Sequence, residues 1–231
     1  MPDFSKRSTE EEIMDDFTLP ETELFPVLEG LERINTVLGG YQVFYDAFKQ
    51  LNLKSSETVS DWGCGGGDGL RKLARWAKRR HLSIRFTGLD ATPATIRFAK
   101  LRAASFSNIK FIQADVLKDV QAEKYDYVIS SLFTHHFDDR NWVVLIQKML
   151  ASCRKAVIIN DLHRHPLAYY SFIATARLFS RTTMIRQDGA LSVLRSFTKQ
   201  DLVNLLQGAG IKKYKIKWMW AFRWQIIIYK T

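Results

Sequence analysis

Only two cysteines, Cys64 and Cys153, occur in the 231 residues. They are too few for a disulfide-stapled fold and lack metal-ligand spacing, which fits reduced thiols in a cytoplasmic protein. Long apolar runs are also absent. The greasiest stretch, Pro166 to Phe179, falls short of the ~20 residues that cross a bilayer and contains Arg177. The first thirty residues have no continuous apolar core. They carry the acidic run Glu10, Glu11, Glu12, then Asp15 and Asp16, which does not read as a secretory leader. Internal repeats and low-complexity linkers are missing as well. At this length the expectation is one α/β domain covering 1–231.

The net charge is +10. That excess suits an anionic partner such as RNA, an acidic metabolite or an anionic membrane surface, and equally a solvated basic face. The cations are spread over Lys72 to Arg80, Arg177 to Arg195 and Lys212 to Lys217, so no single block dominates. Apolar residues make up 46% of the chain, enough for an ordered core.

Strand and helix patterns alternate, which predicts a mostly parallel sheet covered on both faces. Leu24 to Leu51 reads as helical with a break at Gly39–Gly40, and residues 1–55 form an N-terminal helical cap. Strands are expected at Thr58–Asp61, Ser83–Asp90, Ile109–Gln113, Tyr127–Ser130 and Ala156–Asn160, with helices near 69–80 and from Pro93. A segment at 163–195 follows the fifth strand. Its first part, Leu167 to Phe179, is apolar on nearly every face and so must be buried. A helix capped by Ser196 or Thr198 runs to about Gln207. Late strands near Lys213–Trp218 and Arg223–Tyr229 complete seven.

The most informative stretch is Asp61-Trp62-Gly63-Cys64-Gly65-Gly66-Gly67-Asp68-Gly69, between an apolar strand and a helix. Glycines there allow a tight turn and close approach of backbone to a ligand. A dinucleotide fingerprint would need glycine at position 68, where Asp68 would repel a pyrophosphate. No Gly-Lys-Ser/Thr follows, so a phosphate loop is excluded. An acid two residues before the first glycine suits a ligand that carries an ammonium group and no phosphate.

On these residues the chain resembles the class I methyltransferases that use S-adenosylmethionine (SAM). The glycine loop looks like their first motif, Asp90 in Phe86-Thr87-Gly88-Leu89-Asp90 like the acid that takes the ribose hydroxyls, and Asp115 in Gln113-Ala114-Asp115-Val116 like the acid facing the adenine amino group. Tyr125 to Ser130 matches the fourth strand. The resemblance implies a Rossmann-like three-layer α/β/α sandwich, with seven strands, mostly parallel, and an antiparallel last strand. It also implies SAM as cofactor with S-adenosylhomocysteine (SAH) as product. The implied cofactor residues are Asp61, Gly63, Cys64, Gly65, Asp90, Ala91, Asp115, Val116 and Ser131.

A hydroxyl acceptor must lose its proton, and an unperturbed histidine can take it near neutral pH. His135 and His136 follow the fourth strand, at the carboxyl edge where open α/β sheets bind ligands. His163 follows the fifth. Those three are the candidate bases. Arg164, His165, Tyr169 and Tyr170 are the candidate acceptor-binding residues, and the two tyrosines with Phe172, Ile173, Leu178 and Phe179 the candidate walls of a lipophilic pocket. No metal requirement is indicated.

The chain also resembles small-molecule methyltransferases of the ubiquinone and menaquinone type, and those accompanying polyketide synthases. It implies methylation, most readily on oxygen, of a lipophilic aromatic or quinol-like molecule, with residues 163–195 as a lid. The basic run Arg177, Arg181 and Arg186 would meet an anionic membrane, and Trp218, Trp220 and Trp224 leave apolar area for a homodimer. Two alternatives stay open: an RNA or protein methyltransferase, and a non-catalytic SAM-binding protein. Nucleic acid is disfavoured because Ser131-Leu132-Phe133-Thr134 lacks the Asn/Asp-Pro-Pro-aromatic pattern of base-methylating enzymes and no appended RNA-binding module is visible.

Overall fold

A computed structural model describes the backbone of residues 2–119, 123–179 and 182–230, and the side chains of these except 177–179. The candidates Arg177, Leu178 and Phe179, as side chains, and Arg181 lie outside the described residues.

Two helices precede the sheet, α1 (Glu21–Val37) and α2 (Gln42–Gln50), separated at Gly39, whose φ is 67°. The sheet and its crossovers follow in the order β1 (Thr58–Trp62), α3 (Asp68–Lys78), β2 (Arg85–Asp90), α4 (Pro93–Arg102), β3 (Ile109–Gln113), β4 (Tyr125–Ser131), α5 (Asp139–Ser152) and β5 (Cys153–Leu162). After β5 come α6 (Pro166–Phe179), α7 (Thr183–Arg195), α8 (Lys199–Gly208), β6 (Tyr214–Met219) and β7 (Arg223–Tyr229). The strand order is β3-β2-β1-β4-β5-β7-β6. β7 alone runs against its neighbours, pairing antiparallel with both β5 and β6.

Alternation along the buried strands divides the core in two. Tyr127, Ile129, Ala156, Ile158 and Ile227 pack with Phe44, Leu73 and Ile96, on the face covered by α2, α3 and α4. Val128, Val157, Ile159, Ile226 and Ile228 pack with Trp142, Leu145 and Leu202, on the face covered by α5 and α8. Helix ends are set by local chemistry. Asp138 caps α5 by accepting from the Asn141 amide at 2.7 Å, and Thr198 and Asp201 form a reciprocal capping box on α8.

Two expectations need correcting. Helix α6 is not buried all round: Leu167 and Tyr170 are more than half exposed, while Ala168 and Ala176 face inward. Of the late tryptophans, Trp218 and Trp220 are exposed but Trp224 is buried, its indole donating to the Phe197 carbonyl at 2.9 Å. Two features had no counterpart in the sequence reading. The segment at 163–195 is a pair of helices packed on each other, and the chain before α1 runs back along α7. There Ser8 donates to the Leu194 carbonyl, and Ile13 and Met14 donate to the Asp188 carboxylate at 2.9 and 3.0 Å.

Candidate active site

A cavity of about 640 Å³ lies over the carboxyl edge of β1, β2, β4, β5 and the start of β7. Its walls come from the chain before α1, from α1, from the glycine loop, from residues 131–137, and from α6, α7 and the β6–β7 turn.

At the glycine-loop end the backbone is shaped for close approach. Gly63, Gly65 and Gly67 have φ of 71°, 51° and 70°, a region other residues avoid. A Cβ on Gly63 would sit 2.2 Å from the Phe133 ring, whereas one on Gly65 would meet nothing within 4 Å. The loop therefore packs on Phe133 at one point and opens to the cavity at the next. Asp90 ties the two motifs together: its carboxylate accepts from the amides of Gly65 and Thr92, both at 3.0 Å.

Charge at this end is unbalanced. Asp61, Asp68 and Asp90 all line the cavity, and among the described residues no cation lies within ion-pair distance of any of them. Burial pushes all three up from the ordinary carboxylate range, and the negative charges of Asp68 and Asp90 raise Asp61 further. Asp61 Oδ1 is buried without a partner. Tyr41 donates its hydroxyl to Asp68, which partly offsets the burial. This donor set suits a cationic ligand with hydroxyls, as the sulfonium cofactor is, and it would repel phosphates. Cys64 and Ser131 also line the cavity, and Ser131 Oγ accepts from Asn160 Nδ2 at 2.9 Å. Ala91, Asp115 and Val116 stand outside the cavity wall. Asp115 accepts from the Leu117 amide at 2.9 Å and pairs with Lys118, and Val116 is in the core.

The opposite end holds the adjacent histidines, on a short 3-10 turn, Thr134–His136. Their settings differ. His135 is 2% exposed, with Nδ1 2.6 Å from Asp161 Oδ1 and Nε2 3.5 Å from Glu12 Oε1. Burial alone would pull its pKa down, but the Asp161 and Glu12 carboxylates outweigh that and raise it to about 9. His135 lines the cavity, but its ring is buried between the Asp161 and Glu12 carboxylates. Asp161 is fixed in turn by donors from Thr134 Oγ1 at 2.7 Å and the Leu162 amide at 2.8 Å.

His136 is the accessible one. Its side chain is 22% exposed, with Nδ1 2.8 Å from Asp15 Oδ1, in ion-pair range though not aligned as a hydrogen bond. Nε2 lies 4.0 Å from Glu12 Oε2. Asp15 is pushed up by burial but held far below the usual range by His136 and by Arg195, whose Nη1 donates at 2.7 Å. The ligand atoms of Glu12, His135 and His136 lie within 4.8 Å of one another, a spacing that could hold a cation. Such a cation would meet His135 at Nε2, which faces Glu12, and leave the Nδ1 contact with Asp161 in place.

The second histidine cluster is not part of the cavity wall. His163 packs edge-on against Trp224 at 4.8 Å, and burial lowers its pKa. His165 stacks on Phe222 at 5.7 Å. Arg164 is buried away from any ligand, donating to the Ser196 and Phe4 carbonyls and pairing with Asp201 at 2.9 Å. Tyr169 meets Phe4, and Tyr170 faces solvent. Helix α6 instead turns Ala168, Ser171, Phe172 and Thr175 to the cavity, the i, i+3, i+4, i+7 face. From the N-terminal helical cap, Asn35 and Tyr41 line the cavity and Arg33 does not. The functional residues that sequence reasoning missed are Glu12, Asp15, Arg195 and Arg223. The only local signal was an acidic run in a strongly basic chain.

Residues 59–156 match the family model described as a methyltransferase domain. No curated protein matches the sequence. Among solved structures the fold recurs at low identity. The plantazolicin methyltransferase BpumL, in complex with SAH, is 16% identical over 95% of this chain and 99% of its own, with a TM-score of 0.63. The magnesium protoporphyrin IX methyltransferase of Synechocystis PCC 6803, with bound SAM, is 16% identical over 88% and 81%, with a TM-score of 0.53. An O-methyltransferase family 2 protein from Planctomyces limnophilus DSM 3776, in complex with apigenin, is 17% identical over 77% of this chain, with a TM-score of 0.58. This chain spans about half of that last protein's length (50%). Residues 59–156 thus carry a methyltransferase domain by sequence similarity, in a seven-stranded fold that SAM- and SAH-bound methyltransferases share.

Proposed function

We propose that the whole chain is one methyltransferase unit that moves the methyl group of SAM to an oxygen of a lipophilic aromatic or quinol-like small molecule, with His136 as general base. The observation that carries this reading is the shared cavity. The acids suited to the cofactor and the accessible histidine face one space, whose other walls include Met14, Phe17, Leu31, Leu38, Phe133 and Phe172. Asp61 and Asp90 with the Gly63–Gly65 backbone would hold the cofactor, which supplies an electrophilic methyl group on a sulfonium. The chain's own work is to align the acceptor, keep water out and take its proton. A phenol is mostly protonated at neutral pH (pKa ~10), so a base beside the acceptor raises the fraction able to react. The Asp15 carboxylate stabilises the imidazolium that His136 becomes.

Residues 1–55 and 163–195 act in this reading as cap and lid, since the segment before α1 and α7 are hydrogen-bonded to each other over the cavity. The P. limnophilus protein's flavonoid ligand lends support to an aromatic acceptor. Exposed Leu167 and Tyr170 support peripheral contact with an anionic membrane, and exposed Trp218 and Trp220 support a homodimer. Among the described residues no helix is long and apolar enough to cross a membrane. Free, buried Cys64 and Cys153 support a cytoplasmic setting.

The test is methyl transfer to a panel of lipophilic phenols and quinols, followed by mass spectrometry, with wild type and His136→Ala. The expected loss of turnover is ~10²–10⁴-fold, with unchanged SAH affinity. Full activity in the variant would remove His136 from the role of base. Methylation of RNA or protein with no phenol accepted would replace the substrate class.

A further inference from the structure

The buried arginines of this molecule fall into two kinds. Arg71, Arg164 and Arg195 each have a carboxylate close by: Glu32 at 2.6 Å, Asp201 at 2.9 Å and Asp15 at 2.7 Å. Arg223 is as buried, at 2% exposure, yet among the described residues no carboxylate lies within ion-pair distance of it. Its Nη2 donates to Asn35 Oδ1 at 3.0 Å, while Nε and Nη1 have no partner. A guanidinium in this state is costly, because desolvation outweighs the attraction of Asp161, which stands beyond ion-pair distance. Burial lowers its pKa to about 10, so it still carries its charge at neutral pH.

Position gives this orphan a use. Arg223 is the first residue of β7, paired opposite Leu162 at the carboxyl end of β5, and it lines the cavity together with Asn35, Tyr41 and Phe222. A Cβ at Gly40 would come within 3.1 Å of Nη2, so the bare backbone there makes room for the guanidinium. The same walls carry Glu11, Glu12, Asp15 and Asp188, which would repel a doubly charged phosphate. A single negative charge with planar oxygens is what remains suited to this site, and guanidinium geometry favours it.

We propose that Arg223 is the receptor for a carboxylate of a bound ligand inside the cavity. Two molecules could bring that group: the cofactor, through its amino-acid end, or an acceptor that is itself a phenolic acid. The proposal rests on the methyltransferase reading only for the first source.

Calorimetry on the full chain separates the cases, using SAH, 5′-methylthioadenosine (which lacks the amino-acid end), 4-hydroxycinnamate and methyl 4-hydroxycinnamate. Wild type is compared with Arg223→Met and Arg223→Lys. If the cofactor is the source, Arg223→Met weakens SAH more than tenfold and leaves 5′-methylthioadenosine unchanged. If the acceptor is, SAH binding is unchanged, and the preference of wild type for the free acid over its methyl ester disappears in Arg223→Met. Arg223→Lys keeps part of either effect. The apo melting temperature of Arg223→Met should stay level or rise, since an unpaired buried charge is removed, whereas a merely structural arginine would lower it. A lowered melting temperature with no change in either preference overturns the proposal, as does a wild type that binds neither carboxylate probe. Arg223-dependent binding of 4-hydroxycinnamate without any binding of SAH would spare the proposal and sink the cofactor reading.

Discussion

The two ends of the cavity hold their charges in opposite ways. At the glycine loop, Asp61, Asp68 and Asp90 face one space with no cation paired to them among the described residues, and burial drives their pKa values up. At the histidine end, Asp161 is set against His135, and Asp15 against His136 and Arg195. The first end is unfinished without a positively charged ligand. In the second, these partners hold the side chains in place before any acceptor arrives, as catalytic geometry requires.

Within the second end, neighbouring histidines divide the work. His135 braces the turn against Asp161, and His136 meets the cavity. Replacing His135 with Gln should therefore strike stability rather than proton transfer. A rise in pKa from 6.5 to about 9 corresponds to about 3 kcal/mol of folding free energy. Because the folded-state pKa is raised, that contribution is fully present below about pH 6.5 and is lost as pH rises through about 9. Chemical denaturation of wild type and His135→Gln should show the full difference near pH 6 and a vanishing one at pH 10. A gap that persists unchanged at pH 10 would mean that packing, not the ion pair, holds the turn.

Asp15 gives a smaller effect on the other histidine. Asp15→Asn replaces the carboxylate that lies 2.8 Å from His136 Nδ1 and leaves the shape nearly intact. Turnover in the methyl-transfer assay should fall roughly tenfold, as a base loses the group that orients its ring. Unchanged turnover would show that Asp15 only anchors the chain to Arg195.

The same division explains what could be read from the residues alone. The loop from Asp61 to Gly69 and the acid Asp90 were legible because each demand is local: a tight turn needs glycine, and a strand end presents an acid to the crevice. The antiparallel direction of β7 came with the family resemblance, and the α8 cap was narrowed by local pattern to Ser196 or Thr198, of which Thr198 is the cap. Glu12, Asp15 and Arg195 were not legible as site residues, since Arg195 and Asp15 meet across 180 positions of sequence. The apolar composition of α6 could not reveal its register. Ala168, Ser171, Phe172 and Thr175 face the cavity, and the aromatic neighbours Tyr169 and Tyr170 turn away. His163, Arg164 and His165 lie beyond the same strand edge as the site, but Trp224, Asp201 and Phe222 respectively claim them.

The central claim is that the unbalanced acidic end binds SAM, and titrating the purified protein with SAH tests it most directly. Wild type should bind, and Asp90→Ala, which removes the carboxylate tying Gly65 to the end of β2, should weaken that binding well over tenfold with the fold preserved. Absence of SAH binding to folded wild-type protein freed of any copurified ligand would contradict the account.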